Sequence, residues 1–164
     1  MIKFEQLKWV CYDFDDTLCI HQHHHDDPVA EYLTSLLTRG ISHWDNSLKS
    51  DHMQKFMDFC ADNGIQQALI TASPEHLSAE MKNQWVQKNY RHTLRNFAMG
   101  TGNDKIEMLK AIAQAETIEP SNILVVDDRS ATLDLAADNG FQACTPMEVV
   151  NFVENNLRKA NSAR

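Results

Sequence analysis

The sequence is short of the residues that disulfide scaffolds and nucleotide-binding loops depend on. Its four cysteines, Cys11, Cys19, Cys60 and Cys144, are scattered and include no C-x-x-C. They read as reduced, mostly buried thiols of a cytoplasmic protein rather than as a disulfide framework. Its five glycines include no G-x-x-x-x-G-K, which excludes a P-loop kinase. Gly100-Thr101-Gly102 reads as an ordinary loop. Basic residues are also scarce, 15 against 23 acidic ones, for a net charge of −8. General electrostatic binding to nucleic acid or an anionic membrane is therefore not expected. A phosphorylated substrate remains compatible, because a bound cation reverses the local field. No apolar run approaches the length of a membrane span. Lys3, Glu5 and Lys8 break up the N-terminal stretch, so no signal peptide is expected there.

What is present is enough for a core. A chain of 164 residues with 43% apolar composition reads as one globular domain over 1–164. Apolar runs predict strands over Trp9–Phe14, Gln67–Thr71, Asn96–Met99, Ile123–Val126 and Gln142–Cys144. Helical patterns fall over Val29–Thr38, Leu48–Asp62, Glu75–Lys88, Lys105–Gln114, Ala131–Asn139 and Met147–Lys159. Ser73-Pro74-Glu75 marks a helix start, and Gly40, Gly64 and Gly140 suit helix stops. Alternating short apolar strands and helices predict an α/β fold. It would be a Rossmann-like parallel sheet of about five strands with helices on both faces. Sites in such sheets form at the carboxyl ends of strands. Residues 19–62 exceed one simple connection and read as a flap and a short helical insert after the first strand.

The densest chemistry follows the first strand. Trp9-Val10-Cys11-Tyr12 runs into Asp13, Asp15 and Asp16. Alternation along a strand turns Asp13 and Asp15 to one side and Phe14 to the other. Neighbouring carboxylates resist ionising together unless a cation compensates. Mg²⁺ fits such a pair, since it takes few carboxylates together with water and phosphate oxygens. Three later strand ends add to it. Thr71-Ala72-Ser73 offers a hydroxyl and then backbone N–H groups at a helix start, a seat for a phosphoryl oxygen. Lys105 sits at a helix start, where the dipole disfavours a cation. Taken alone it reads as a solvated lysine, but its place in the order suits a phosphate-facing role. Ile123-Leu124-Val125-Val126 ends in a second acidic pair, Asp127-Asp128.

The order Asp13-Phe14-Asp15-Asp16-Thr17-Leu18, Thr71, Lys105 and Asp127-Asp128 resembles the four motifs of the haloacid dehalogenase (HAD) superfamily, in family order. The likeness spans Trp9 to Arg129. It implies an Mg²⁺-dependent phosphomonoester hydrolase of small-cap or capless type, acting through an aspartyl-phosphate. By this resemblance Asp13 is the nucleophile and Asp15 the general acid and base, with its backbone carbonyl on the metal. Thr71 and Ala72 hold the phosphoryl group, and Lys105 neutralises charge between it and Asp13. Asp128, aided by Asp127, completes the metal site. Thr132 stands where many members carry a further acid. The acid at Asp15 favours phosphate esters over dehalogenation.

Other readings are weaker. A receiver domain shares the fold class, but too little chain follows Asp128 to build one. An inactive HAD-like phosphate-binding module and a polynucleotide 3′-phosphatase-like enzyme stay open as alternatives. The small magnesium phosphatases acting on phosphotyrosine or sugar phosphates are the other likeness. His21, His23, His24 and His25 read as a polar flap near the substrate entrance, since consecutive histidines do not converge on zinc. Trp44, Phe56, Phe59 and Trp85 read as packing residues. The residues do not name the substrate or the oligomeric state.

Overall fold

The computed structural model of the chain describes residues 2–20, 44, 47–73, 76–99 and 104–162. A five-stranded parallel sheet forms its centre. The strands are β1 (Trp9–Tyr12), β4 (Gln66–Ala72), β5 (Arg95–Met99), β6 (Ile123–Val126) and β7 (Gln142–Cys144), in the order β5-β4-β1-β6-β7. Two short strands, β2 (Cys19–Ile20) and β3 (Leu48–Lys49), pair antiparallel outside this sheet. The helices are α1 (Asp51–Asp62), α2 (His76–Asn89), α3 (Asp104–Glu116), α4 (Ser130–Asp138) and α5 (Pro146–Ser162).

β1 is the central strand, paired with β4 on one side and β6 on the other. From β1 the chain builds outward through β4 to β5, then returns beside β1 to form β6 and β7. The order therefore reverses between β1 and β6. In open parallel sheets that reversal opens a crevice at the carboxyl ends of the strands.

Alternation along the strands divides the core in two. Val10, Tyr12, Leu69, Leu124 and Val126 face one side, where Met53, Phe56 and Met57 of α1, Trp85 and Val86 of α2, and Val149 and Val153 of α5 cover them. Trp9, Cys11, Ala68, Ile70, Ile123 and Val125 face the other, under Ile106, Leu109 and Ile112 of α3 and Ala136 of α4. Every residue of β1 and of β6 is buried. Continuous apolar runs such as Ile123–Val126 belong to strands covered on both faces.

Two of the boundaries that move have a local cause. The helix expected from Leu48 begins at Asp51, because Ser50 is its N-cap and accepts from the Met53 N–H at 3.2 Å. Leu48 and Lys49 instead pair with Ile20 and Cys19. The first strand ends at Tyr12 rather than Phe14. The Asp13 N–H still donates to the Val126 carbonyl at 2.9 Å, but the chain then turns back. The Leu18 and Cys19 N–H groups both donate to the Phe14 carbonyl, at 3.0 and 2.9 Å. Asp16 takes the left-handed conformation in this turn, with φ 52°.

Three helices stop in the same way. After α1, α3 and α4, a left-handed residue is followed by an N–H that reaches back five residues: Ile65 to Cys60, Ile118 to Ala113 and Phe141 to Ala136. This is the Schellman geometry, which favours glycine at the left-handed position. Gly64 and Gly140 supply it as expected, but after α3 the residue is Thr117, at φ 54°. The expected helix over Val29–Thr38 and the stop at Gly40 lie outside the described residues. No helix among the described residues is long and apolar enough to cross a membrane.

Candidate active site

Three adjacent strands, β4, β1 and β6, bring the candidate residues to one crevice. Asp13 follows β1 and Asp127 follows β6, and both are buried, at 7% and 1% exposure. Thr71 is the last residue but one of β4 and is buried. Lys105, the second residue of α3, is buried as well. Its Nζ lies 2.6 Å from Asp13 Oδ1 and 2.7 Å from Asp127 Oδ2. A solvated surface lysine is excluded by that burial.

One ammonium shared between two carboxylates leaves the charges unequal. Burial works against the Lys105 charge, but Asp13 and Asp127 outweigh it and hold its pKa above the ordinary lysine value. At Asp13 burial is the larger influence. Lys105 lowers its pKa, Asp127 and Asp15 raise it, and the result is about 6. Asp128 is raised too, first by burial and then by Asp127. Carboxylate oxygens of Asp13, Asp127 and Asp128 all lie within 4.8 Å of one another. The arrangement is short of positive charge and rich in hard oxygen donors, the donor set that a small divalent cation takes.

Asp15 lies in the turn after β1. Its Oδ2 accepts from Lys82 Nζ at 2.7 Å, and its Oδ1 from the Trp44 indole N–H at 3.2 Å. Lys82 also donates to Thr71 Oγ1 at 3.0 Å and to the Ala72 carbonyl at 3.3 Å. The Thr17 and Ser73 hydroxyls are buried without a hydrogen-bond partner. Both flank the crevice in sequence, one after Asp15 and Asp16 and the other after Thr71-Ala72.

The structure thus gathers Asp13, Lys105, Asp127 and Asp128 into one cluster, and joins Asp15 to Thr71 and Ala72 through a second lysine. Sequence reasoning missed Lys82. A signal was available: Ala79, Lys82, Trp85 and Val86 are all buried. Their spacing of three, six and seven from Ala79 puts the lysine on the apolar stripe of α2. Trp44, Phe56 and Trp85 are buried packing residues as expected, and Phe59 packs against the same core. Trp44 does more, since its indole touches Asp15. The histidines His21, His23, His24 and His25 lie outside the described residues.

No protein-family model matches the sequence, and no curated protein matches it. Solved structures do match in fold. A HAD-superfamily hydrolase from Ehrlichia chaffeensis superposes with a TM-score of 0.54 at 16% identity, covering 92% of this chain and 97% of that one. The cobalt-bound deoxy-D-mannose-octulosonate 8-phosphate phosphatase of Haemophilus influenzae gives a TM-score of 0.54 at 16% identity, over 87% of this chain and 70% of that one. The N-terminal part of a Bacteroides fragilis protein, containing a phosphatase domain complexed with Mg, gives 0.53 at 13% identity over 85% of this chain. This chain spans only 35% of that protein's length. The chain has the α/β fold of HAD-superfamily hydrolases.

Proposed function

We propose that the chain is a Mg²⁺-dependent phosphomonoester hydrolase that works through an aspartyl-phosphate on Asp13. The carrying observation is the crevice itself. Two buried lysines, Lys105 and Lys82, divide it between a carboxylate cluster (Asp13, Asp127, Asp128) and a carboxylate–hydroxyl pair (Asp15, Thr71). The fold shared with a Mg-bound phosphatase domain and a cobalt-bound sugar-phosphate phosphatase supports the same reading. So do the buried Thr17 and Ser73 hydroxyls, because buried polar groups without partners call for a ligand or water.

The cation would be held by Asp13, Asp128 and the Asp15 backbone carbonyl. Asp127 Oδ2 is engaged by Lys105 and its Oδ1 accepts from the Arg129 N–H at 3.0 Å. Asp127 would therefore back the site, with Asp128 as the second direct carboxylate. When bound, Mg²⁺ supplies charge neutralisation that draws the anionic ester toward an anionic nucleophile.

The chain's own residues then divide the work. An Asp13 carboxylate oxygen attacks phosphorus, and the ester P–O bond breaks. Asp15 gives its proton to the departing oxygen, which leaves as the alcohol. Lys105 balances the charge gathering on Asp13 and the phosphoryl oxygens, and the Thr71 hydroxyl and Ala72 N–H hold those oxygens. Water then attacks phosphorus in the aspartyl-phosphate and gives its proton to Asp15. The bond between phosphorus and the Asp13 oxygen breaks, releasing phosphate and restoring the carboxylate. Of the expected insert at 19–62, Asp51–Asp62 packs against the sheet as α1 through Met53, Phe56 and Met57, and His21–His25 lie outside the described residues. The four free, buried cysteines suit a reducing, cytoplasmic setting.

The test is a Mg²⁺-supplemented screen of phosphorylated metabolites, phosphotyrosine, sugar phosphates and 3′-phosphorylated oligonucleotides. Phosphate release that EDTA abolishes and Mg²⁺ restores is the expected result. No release from any ester would overturn the reading.

A further inference from the structure

Lys82 is a buried cation that the phosphatase chemistry above leaves without a task. It is 5% exposed and sits midway along α2. The Phe14 and Trp44 rings lie 5.3 and 5.7 Å from its Nζ. Those walls are apolar, and a buried ammonium is costly unless paired. An ammonium has three N–H donors. Here they find Asp15 Oδ2, Thr71 Oγ1 and the Ala72 carbonyl, at 2.7, 3.0 and 3.3 Å. The pairing therefore has a defined direction, and it links two groups that reach the crevice from different strand ends.

The two links act differently. Thr71 accepts from Lys82, so its own hydrogen points elsewhere and is available to an oxygen in the crevice. The Asp15 side chain is 43% exposed and lies in a loop, where an unrestrained carboxylate would sample several rotamers. Lys82 on one oxygen and the Trp44 indole on the other restrict it to one.

We infer that Lys82 is a positioning residue: by holding Asp15 through Oδ2 it leaves Oδ1 as the oxygen that carries the proton to the leaving group, and it sets Thr71 beside it. This deepens the phosphatase reading and rests on it. Proton transfer demands close approach, and a displacement of about 1 Å can cost about 100-fold in rate.

The test is leaving-group dependence. 4-Nitrophenolate departs from phosphorus without needing a proton, whereas an alkoxide needs one. kcat/KM reports the chemistry up to the first irreversible step, in which the leaving group departs. Lys82→Met should lower kcat/KM for an alkyl phosphate by about 100-fold and for 4-nitrophenyl phosphate by about 10-fold or less. Equal losses on both esters would overturn the proposal, because a general structural role or an effect through Thr71 alone does not distinguish leaving groups. Lys82→Gln removes the charge and ends one atom short of the ammonium, and it carries the same comparison should the methionine variant not fold. Absence of Mg²⁺-dependent turnover of both esters by the unaltered chain would overturn the phosphatase reading, and this proposal with it. Turnover by the unaltered chain with equal losses in the variants would overturn this proposal alone.

Discussion

The Lys105 ammonium lies 2.6 Å from Asp13 Oδ1 although 92 positions separate the two residues. The same ammonium reaches Asp127 at 2.7 Å. It therefore closes the crevice between β1 and β6 from the far face of the sheet, where α3 packs. The reading of the site stands on this junction.

Asp13→Asn removes the attacking carboxylate and nearly preserves its shape. The amide is a far poorer nucleophile. Phosphate release from 4-nitrophenyl phosphate should fall to the blank rate, with an unchanged circular dichroism spectrum. Release at the level of the unaltered chain would remove Asp13 from the mechanism.

Lys105→Met separates two consequences of one residue. It should lower kcat by about 100- to 1,000-fold, the usual loss when a charge-stabilising donor is removed. It also leaves Asp13 and Asp127 buried without their cation, which should cost about 3 kcal/mol of stability in the absence of metal. Mg²⁺ should recover part of that stability but not the turnover. Thermal melts with and without Mg²⁺ read the stability, and steady-state kinetics the turnover.

Metal binding should be linked to pH in a defined direction. Burial raises the Asp13 pKa to about 6 before metal binds, and that of Asp128 is raised as well. A ligand carboxylate must give up its proton, so Mg²⁺ affinity should rise as pH increases through about 6. At pH 6 binding should release protons, and at pH 8 almost none. Calorimetry in two buffers of different ionisation enthalpy measures that release. The rise in Tm produced by Mg²⁺ should accordingly be larger at pH 7.5 than at pH 5.

Thr117→Gly should stabilise the chain. A β-branched residue at φ 54° is strained, whereas glycine adopts that conformation freely. The Schellman bonds from the Thr117 and Ile118 N–H groups involve backbone only, so they survive the change. A gain of about 1 kcal/mol is expected in urea unfolding. No gain would mean that the glycine's freedom in the unfolded chain cancels the relief.

The parallel sheet was legible in the sequence because β1 and β6 are buried on both faces and so read as unbroken apolar runs. The acidic strand ends were legible for the same reason, since carboxylates directly after such runs stand out. Leu48–Lys49 was not. A two-residue exposed strand carries no periodicity of its own, and Leu48 continues the apolar spacing of the helix that follows it. The decisive signal was Ser50, an N-cap that sets where that helix can start. The partnership of Asp15 with Lys82 was hidden for another reason. Its lysine lies in mid-helix, 67 positions from the aspartate, and only the packing of α2 over the end of β4 decides that it faces inward. Charge on an apolar stripe was the available clue.

The crevice also inherits its durability from where it is built. β1 has a hydrogen-bonded neighbour on each side, and the Asp13 amide is itself tied to the Val126 carbonyl. Fraying of the sheet edges at β5 or β7 leaves that amide covered. Its exchange with solvent deuterium should proceed only through global opening, among the slowest in the chain. The nucleophile's backbone is thus as long-lived as the folded state itself, and any adaptation to a substrate falls to the side chains and loops around it.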